Sequence, residues 1–265
     1  MQYDLGFIGA GKMGGAILSA VLDSGQTPSL IAVCDAKSEA LTQYANRGAV
    51  TTADPLFIAE NCKTIVLAVK PQDINALMDS VAPKLHTSQL VISIAAGKSL
   101  STLRAHLGKA PTLIRVMPNL AALVGEGMMV YAADDEATVN DIAAAEAILS
   151  KCGKTLRLEE KHFDAVTALS GSGPAFLAYI IKAMADGGEA LGLSQEAAST
   201  LALQTMLGTA KYLIESHQPF PAFINAVSSP GGTTEAGMKV LANSEMVQAI
   251  SKTLSAAARR SAELG

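Results

Sequence analysis

The pattern of apolar and polar positions along the 265-residue chain changes period once, near Glu159. Before it, short apolar runs alternate with segments of helical spacing. Tyr3, Leu5, Phe7 and Ile8 read as a strand, and Met13, Ile17, Leu18, Val21 and Leu22 then recur at helix spacing. LIAVC (30–34) reads as a second strand, IVLAV (65–69) is a continuous apolar run, as a parallel strand covered on both faces requires, and LVISIA (90–95) and LIRVM (113–117) repeat the pattern. Segments 128–132 and 155–158 read as later strands around a helix over 138–151, with antiparallel pairing left open. Beyond Glu159 the strand signal stops. Helical periodicity alone runs through 163–169, 174–191, 195–216, 222–227, 234–241 and 246–263. The pattern predicts an α/β part over 1–158, a doubly wound parallel sheet, and an all-helical part over 159–265.

The first strand and helix are joined by GFIGAGKMGGAI, in which Gly9, Gly11 and Gly14 form G-x-G-x-x-G. In a Rossmann-type turn the first glycine permits the tight bend, the second lets a pyrophosphate reach the backbone, and the third brings helix close to strand. The amides and dipole of the helix start favour phosphate charge. Asp35 ends the second apolar run, roughly twenty residues past the turn, where an acid accepts hydrogen bonds from an adenosine ribose. An alternative role for it is to cap the next helix. Its charge repels a 2′-phosphate, whereas Lys37 attracts one, so both NADP and NAD stay open.

Composition narrows the classes. Hydrophobic residues make up 49% and charged ones 17%, so much apolar surface must be hidden, part of it between subunits. A net charge of −4 gives no footprint for nucleic acid. Three scattered cysteines and four scattered histidines fit reduced thiols and no metal site. The run 175–184 is too short to span a bilayer, and Lys182 interrupts it. With no basic, apolar leader before the first strand, a cytoplasmic protein without membrane partners is expected.

Two glycine-rich segments punctuate the helical part. SGSGP (170–174) places Pro174 in the first turn of a long helix, and SSPGGTT (228–234) opens another. Amides and hydroxyls gathered at a helix start suit a carboxylate, and the second segment is the expected anion site.

Taken together, GFIGAGKMGGAI, AVKP (68–71), SIAAG (93–97), RVMPN (115–119), SGSGPA (170–175), MADGGEALGL (184–193) and SSPGGTTEAG (228–237) resemble Δ1-pyrroline-5-carboxylate reductases, which complete proline biosynthesis. The resemblance implies reduction of Δ1-pyrroline-5-carboxylate to L-proline by hydride from NAD(P)H. It also implies a helical domain that interlocks with its counterpart in a homodimer or a larger assembly of dimers, with active sites between the domains. By motif match, Ile8, Gly9, Ala10, Gly11, Lys12, Met13, Ala68, Val69, Lys70, Pro71, Ala95, Ala96 and Gly97 would join Asp35 and Lys37 at the cofactor. Gly231, Gly232, Thr233 and Thr234 would hold the substrate carboxylate, with the Thr234 hydroxyl at the ring nitrogen. Lys70 is a candidate for orienting the cofactor or supplying positive potential, and Glu160 for pairing with the iminium.

The chain departs from the family pattern in three places. Leu120-Ala121 stands where Thr-Pro is usual, Asp35-Ala36-Lys37-Ser38 where Ser or Asn-Arg is common, and Ala226 where an asparagine sometimes precedes the last motif. Two other readings compete: a β-hydroxyacid dehydrogenase-like oxidoreductase using Lys182, and a non-catalytic dinucleotide sensor. Neither has a use for SSPGGTT.

Overall fold

The structure, a computed structural model, describes residues 1–264. By internal contacts it divides into two units, Met1–Ser172 with the chain from Ala257 onward, and Gly173–Ala256. In the first unit the order is β1 (Tyr3–Ile8), α1 (Lys12–Asp23), β2 (Ile31–Cys34), α2 (Ser38–Ala45), β3 (Val50–Thr52), α3 (Pro55–Asn61), β4 (Cys62–Leu67) and α4 (Ile74–Val81). It continues with β5 (Leu90–Ser93), α5 (Leu100–Leu107), β6 (Thr112–Met117), β7 (Gly127–Ala133), α6 (Val139–Leu149), β8 (Gly153–Arg157) and α7 (Phe163–Val166).

One eight-stranded sheet has the order β3-β2-β1-β4-β5-β6-β7-β8. Its first six strands are parallel in the doubly wound arrangement, so their C-terminal ends share one edge. β7 pairs antiparallel with β6, because residues 118–126 are too few for a crossover. α6 then supplies a crossover, and β8 lies parallel to β7. Of the two late strands, only the first makes the antiparallel join.

Side chains alternate between two cores, one on each face. Phe7, Val33, Ile92 and Val116 pack with Ile17 and Leu18 of α1, Tyr44 of α2 and Ile148 of α6. Ile8, Ile65, Leu67 and Val91 pack with Ile58 of α3, Met78 of α4 and Leu103 of α5. Each fully buried aliphatic side chain contributes about 1.5–3 kcal/mol relative to exposure, so a strand buried on both faces needs no polar alternation. β3, absent from the sequence reading, is three half-buried residues with two threonines, too short and polar to show an apolar run.

The second unit holds α8 (Gly173–Ala190), α9 (Gln195–Ser216), α10 (Phe220–Ala226), α11 (Thr233–Ala242) and most of α12 (Met246–Leu264). Its buried cluster is Ala185, Ala198 and Ala202, backed by Ile181, where α8 packs on α9. Large apolar side chains including Tyr179, Leu191, Leu207, Phe220 and Val247 are exposed. No helix among the described residues is long and apolar enough to cross a membrane.

Candidate functional site

The glycine turn lies at the C-terminal edge of β1. Gly9 has φ +103°, where a side chain is strained, and a Cβ there would lie 2.6 Å from the Ala68 carbonyl oxygen. Its N–H donates to Cys34 O at 2.8 Å, and Ala68 N–H donates to Ile8 O at 2.8 Å. The end of β4 therefore folds over the turn, and Ala68 and Val69, expected inside a strand, lie beyond it. Gly14 brings α1 against this arch: a Cβ there would meet Gly9 O at 2.4 Å and Ala68 Cβ at 2.6 Å. Gly11 differs. It is exposed, caps α1 in an extended conformation, and has no atom within 4 Å of where a Cβ would be. The open space over Gly11, at a helix start whose first N–H groups have no carbonyl ahead of them, fits a pyrophosphate.

Asp35 is joined to that turn directly. Its Oδ2 accepts from Ala10 N–H at 2.7 Å and its Oδ1 from Lys37 N–H at 2.9 Å. The N-cap of α2 is Lys37, so Asp35 is not the cap of that helix. Each carboxylate oxygen keeps a lone pair for a ribose hydroxyl. Ile8, Gly9, Gly11, Asp35, Lys37, Ala68, Val69 and Lys70 line one cleft of about 490 Å³, with Ala40, Ala53, Pro55, Asp73 and Leu77 among its other walls. That volume lies in the range of ligand clefts, roughly 300–1,000 Å³. The sequence reading missed these additional walls. Lys70 and Lys37 are both exposed at its rim.

The remaining cofactor candidates are spread around this cleft. Ala10 and Lys12 line a neighbouring hollow with Leu123, Val124 and Lys151, and Met13 is half-buried against the core. Pro71 is exposed in the turn after Lys70. Ala95, Ala96 and Gly97 follow β5, the next strand along the same edge: Ile94 N–H donates to Leu67 O at 3.1 Å. Ala95 is buried, Ala96 is exposed, and Gly97 has φ +72°.

The SSPGGTT segment belongs to the second unit. Gly231 has φ +72° and donates its N–H to Glu235 Oε2 at 2.6 Å, while Gly232 N–H donates to Ser229 O at 2.9 Å. Both glycine amides are therefore engaged within the loop. Thr233, Thr234 and Glu235, in the first turn of α11, have no helix carbonyl ahead of them, so the helix leaves their amides unengaged. Lys239 lies 2.8 Å from Glu235 Oε1. That lysine first, and the Gly231 amide second, hold the Glu235 carboxyl below the usual range. The Ser228 hydroxyl oxygen is buried without a hydrogen-bond partner.

Glu160 is used otherwise than expected for an iminium partner. Its Oε1 accepts from the Leu100 backbone N–H at 2.7 Å and from Arg115 Nη1 at 2.8 Å. The Arg115 guanidinium also stacks 4.5 Å from the centre of the Phe163 ring. These contacts make Glu160 part of the frame of the sheet unit, and the sequence reading missed its partners Leu100 and Arg115. Asn119 accepts from Met128 N–H at 3.1 Å and contacts Ser170 Oγ at 3.4 Å, which joins RVMPN to Ser170 inside the same unit.

Among the described residues no group of His, Cys, Asp and Glu is arranged to hold a metal ion. Burial pushes the three thiols up: Cys34 to about 11, aided by the nearby Asp35 and Asp54, Cys62 to about 12, and Cys152 to about 11.

Two family descriptions match the chain, "Pyrroline-5-carboxylate reductase dimerisation" over 160–264 and "NADP oxidoreductase coenzyme F420-dependent" over 4–97. Pyrroline-5-carboxylate reductase 2 of Bacillus subtilis is 37% identical, covering 98% of this chain and 94% of its own. A solved pyrroline-5-carboxylate reductase from Coxiella burnetii superimposes with a TM-score of 0.96 at 34% identity, covering 100% of this chain and 99% of its own. The Plasmodium falciparum pyrroline carboxylate reductase with NADP bound superimposes with a TM-score of 0.87 at 29% identity, over 100% and 99% of the two chains.

Proposed function

The chain belongs to the pyrroline-5-carboxylate reductase family, and from that premise we propose that it reduces Δ1-pyrroline-5-carboxylate to L-proline with NADPH or NADH. The observation that carries this reading is coverage. A match over 98% of the chain takes in both the open glycine turn and the SSPGGTT loop, which a sensor or a β-hydroxyacid dehydrogenase would not need together.

The chain's residues have few tasks, and they are tasks of placement. When bound, the reduced nicotinamide supplies the hydride for the imine carbon. Gly9 and Gly11 keep a backbone surface open at the positive end of α1 for the pyrophosphate, and Gly14 lets α1 approach closely enough to present it. Asp35 holds the Ala10 amide and offers its remaining lone pairs to a ribose, with Lys37 two residues away for a 2′-phosphate. Ala68, Val69 and Lys70 form the wall beside the turn, Lys70 adding positive potential, and Ala95 to Gly97 present small residues at the next strand end. In the helical unit the Thr233 and Thr234 amides donate hydrogen bonds to the substrate carboxylate. Gly231 and Gly232 shape the loop by spending their amides inside it, and the Thr234 hydroxyl hydrogen-bonds the ring nitrogen.

We assign cofactor binding to residues 1–158 and substrate binding with dimerisation to 159–265, a division supported by the dimerisation match over 160–264. The exposed apolar side chains of the second unit support a homodimer or an assembly of dimers as the working form. A cytoplasmic location follows the small-molecule chemistry and the reduced state expected of the three buried thiols.

The test is oxidation of NADPH and of NADH by purified protein given pyrroline-5-carboxylate, with proline identified as product. Turnover with either cofactor is expected; a folded sample inactive with both overturns the reading.

A further inference from the structure

Between β5 and α5 the chain runs through Ala95, Ala96 and Gly97, the strand-end loop assigned above to the cofactor. It is anchored at its far end. Ser99 caps α5, its hydroxyl accepting from Thr102 N–H at 3.1 Å. Leu100, the first residue of the helix, has an N–H with no helix carbonyl to receive it. Glu160, sixty residues further along the chain, supplies the acceptor at 2.7 Å. The same carboxylate oxygen meets Arg115, whose side chain is 11% exposed and whose guanidinium lies over Phe163. The anchor is thus a charged side chain on a helix N-terminus, itself fixed by a largely buried cation from the middle of β6.

We propose that Glu160, held by Arg115, is a positioning residue that fixes the start of α5 and through it the Ala95–Gly97 loop in the conformation that receives the dinucleotide. The proposal rests on the assignment of that loop to the cofactor. Geometry favours positioning over direct contact with substrate, because Glu160 Oε1 is taken up by two donors of the sheet unit. A charge-assisted bond at the first N–H of α5 restrains the far end of a loop that is held at its near end by buried Ala95 and leaves Ala96 exposed.

Leu100 permits an isolated test. Leu100→Pro deletes the backbone N–H that donates to Glu160 while leaving Arg115 in place, at a helix position where proline is well tolerated, and Ser99 already has the extended conformation (φ −73°, ψ 159°) that proline demands of its predecessor. Leu100→Ala removes the same side-chain packing but keeps the N–H. NADPH dissociation constants are read by titrating nicotinamide fluorescence, since the chain has no tryptophan to interfere. Steady-state KM values for NADPH and for the imine accompany them. Relative to Leu100→Ala, Leu100→Pro should weaken NADPH by about tenfold, the effect of one lost charge-assisted hydrogen bond. The imine KM at saturating NADPH should stay within about twofold. Glu160→Ala should match Leu100→Pro, and Glu160→Gln, which keeps an acceptor oxygen, should recover most of the loss.

Equal NADPH affinities for folded Leu100→Pro and Leu100→Ala would overturn the positioning role. Ala96→Asp separates the underlying assignment. If a carboxylate placed in the loop leaves NADPH binding unmoved, the loop does not touch the cofactor and the assignment itself fails. If Ala96→Asp weakens binding while Leu100→Pro does not, only the positioning role fails.

Discussion

The two units of the chain solve the burial problem differently. In the sheet unit, both faces of the strands are closed by the chain's own helices, and Phe7, Ile17, Ile58, Ile65 and Met78 are 0–1% exposed. In the helical unit the buried cluster is three alanines, while Leu191 is 89% exposed and Val247 75%. The first unit contains what it needs to fold around a cofactor cleft. The second, which carries the SSPGGTT loop, leaves large apolar side chains exposed. Cofactor reading is therefore expected to be a property of one fold, and substrate reading a property of an assembly.

The largest expected effect is at the glycine turn. In Gly9→Val, strain at φ +103° adds to a clash with the Ala68 carbonyl, and NADPH affinity should fall by at least about a hundredfold, ~3 kcal/mol. Fluorescence titration measures this, and a folded variant with unchanged affinity would remove the turn from the cofactor site. The helical unit is broken at its surface. Leu207→Arg, on an exposed apolar position of α9, should yield monomers by light scattering and lower activity by about tenfold or more at nanomolar enzyme. A fully active monomer would show that the apolar surface has no part in assembly.

A smaller effect concerns cofactor choice. Asp35→Ser removes the repulsion of a 2′-phosphate and should raise the NADPH to NADH ratio of kcat/KM by about fivefold, a difference of ~1 kcal/mol. Because Asp35 also holds Ala10 N–H, both kcat/KM values should drop somewhat. An unmoved ratio would leave Asp35 as a brace for the turn alone. Lys37→Ala should shift the ratio the other way.

The smallest effect is in the thiols. With folded-state values of about 11 to 12 against 9 for an ordinary thiol, the folded form holds these protons more tightly. Their contribution is fully present below pH 9 and is lost as pH rises toward 11 to 12. Chemical denaturation at pH 8 and pH 10 should show the loss, and native protein at pH 8 should react with a thiol reagent far more slowly than unfolded protein.

Much of the sheet unit was legible because its rules are local. Apolar runs mark strands covered on both faces, and three glycines mark a turn in which Gly9 takes φ +103°, Gly14 lies against Gly9 and Gly11 stands in open space. What was not legible depended on contacts across the fold. Asp35 resembled a helix cap by position, but its carboxylate reaches Ala10, twenty-five residues away, because β1 and β2 are neighbours. Glu160 looked available for an iminium because a sequence does not show Arg115 beneath it. β3 escaped because three half-buried residues make no pattern. In SSPGGTT the motif pointed to an anion site, yet that the Gly231 and Gly232 amides are already engaged within the loop was visible only in the structure.

The division of labour between the units is tested most directly by Thr234→Ala, with kcat/KM for pyrroline-5-carboxylate and the NADPH dissociation constant measured on the same preparation. Loss of the hydroxyl proposed to meet the ring nitrogen should lower kcat/KM by about ten- to a hundredfold while NADPH binding stays within about twofold. An unchanged kcat/KM, or a parallel loss of NADPH affinity, would contradict the account.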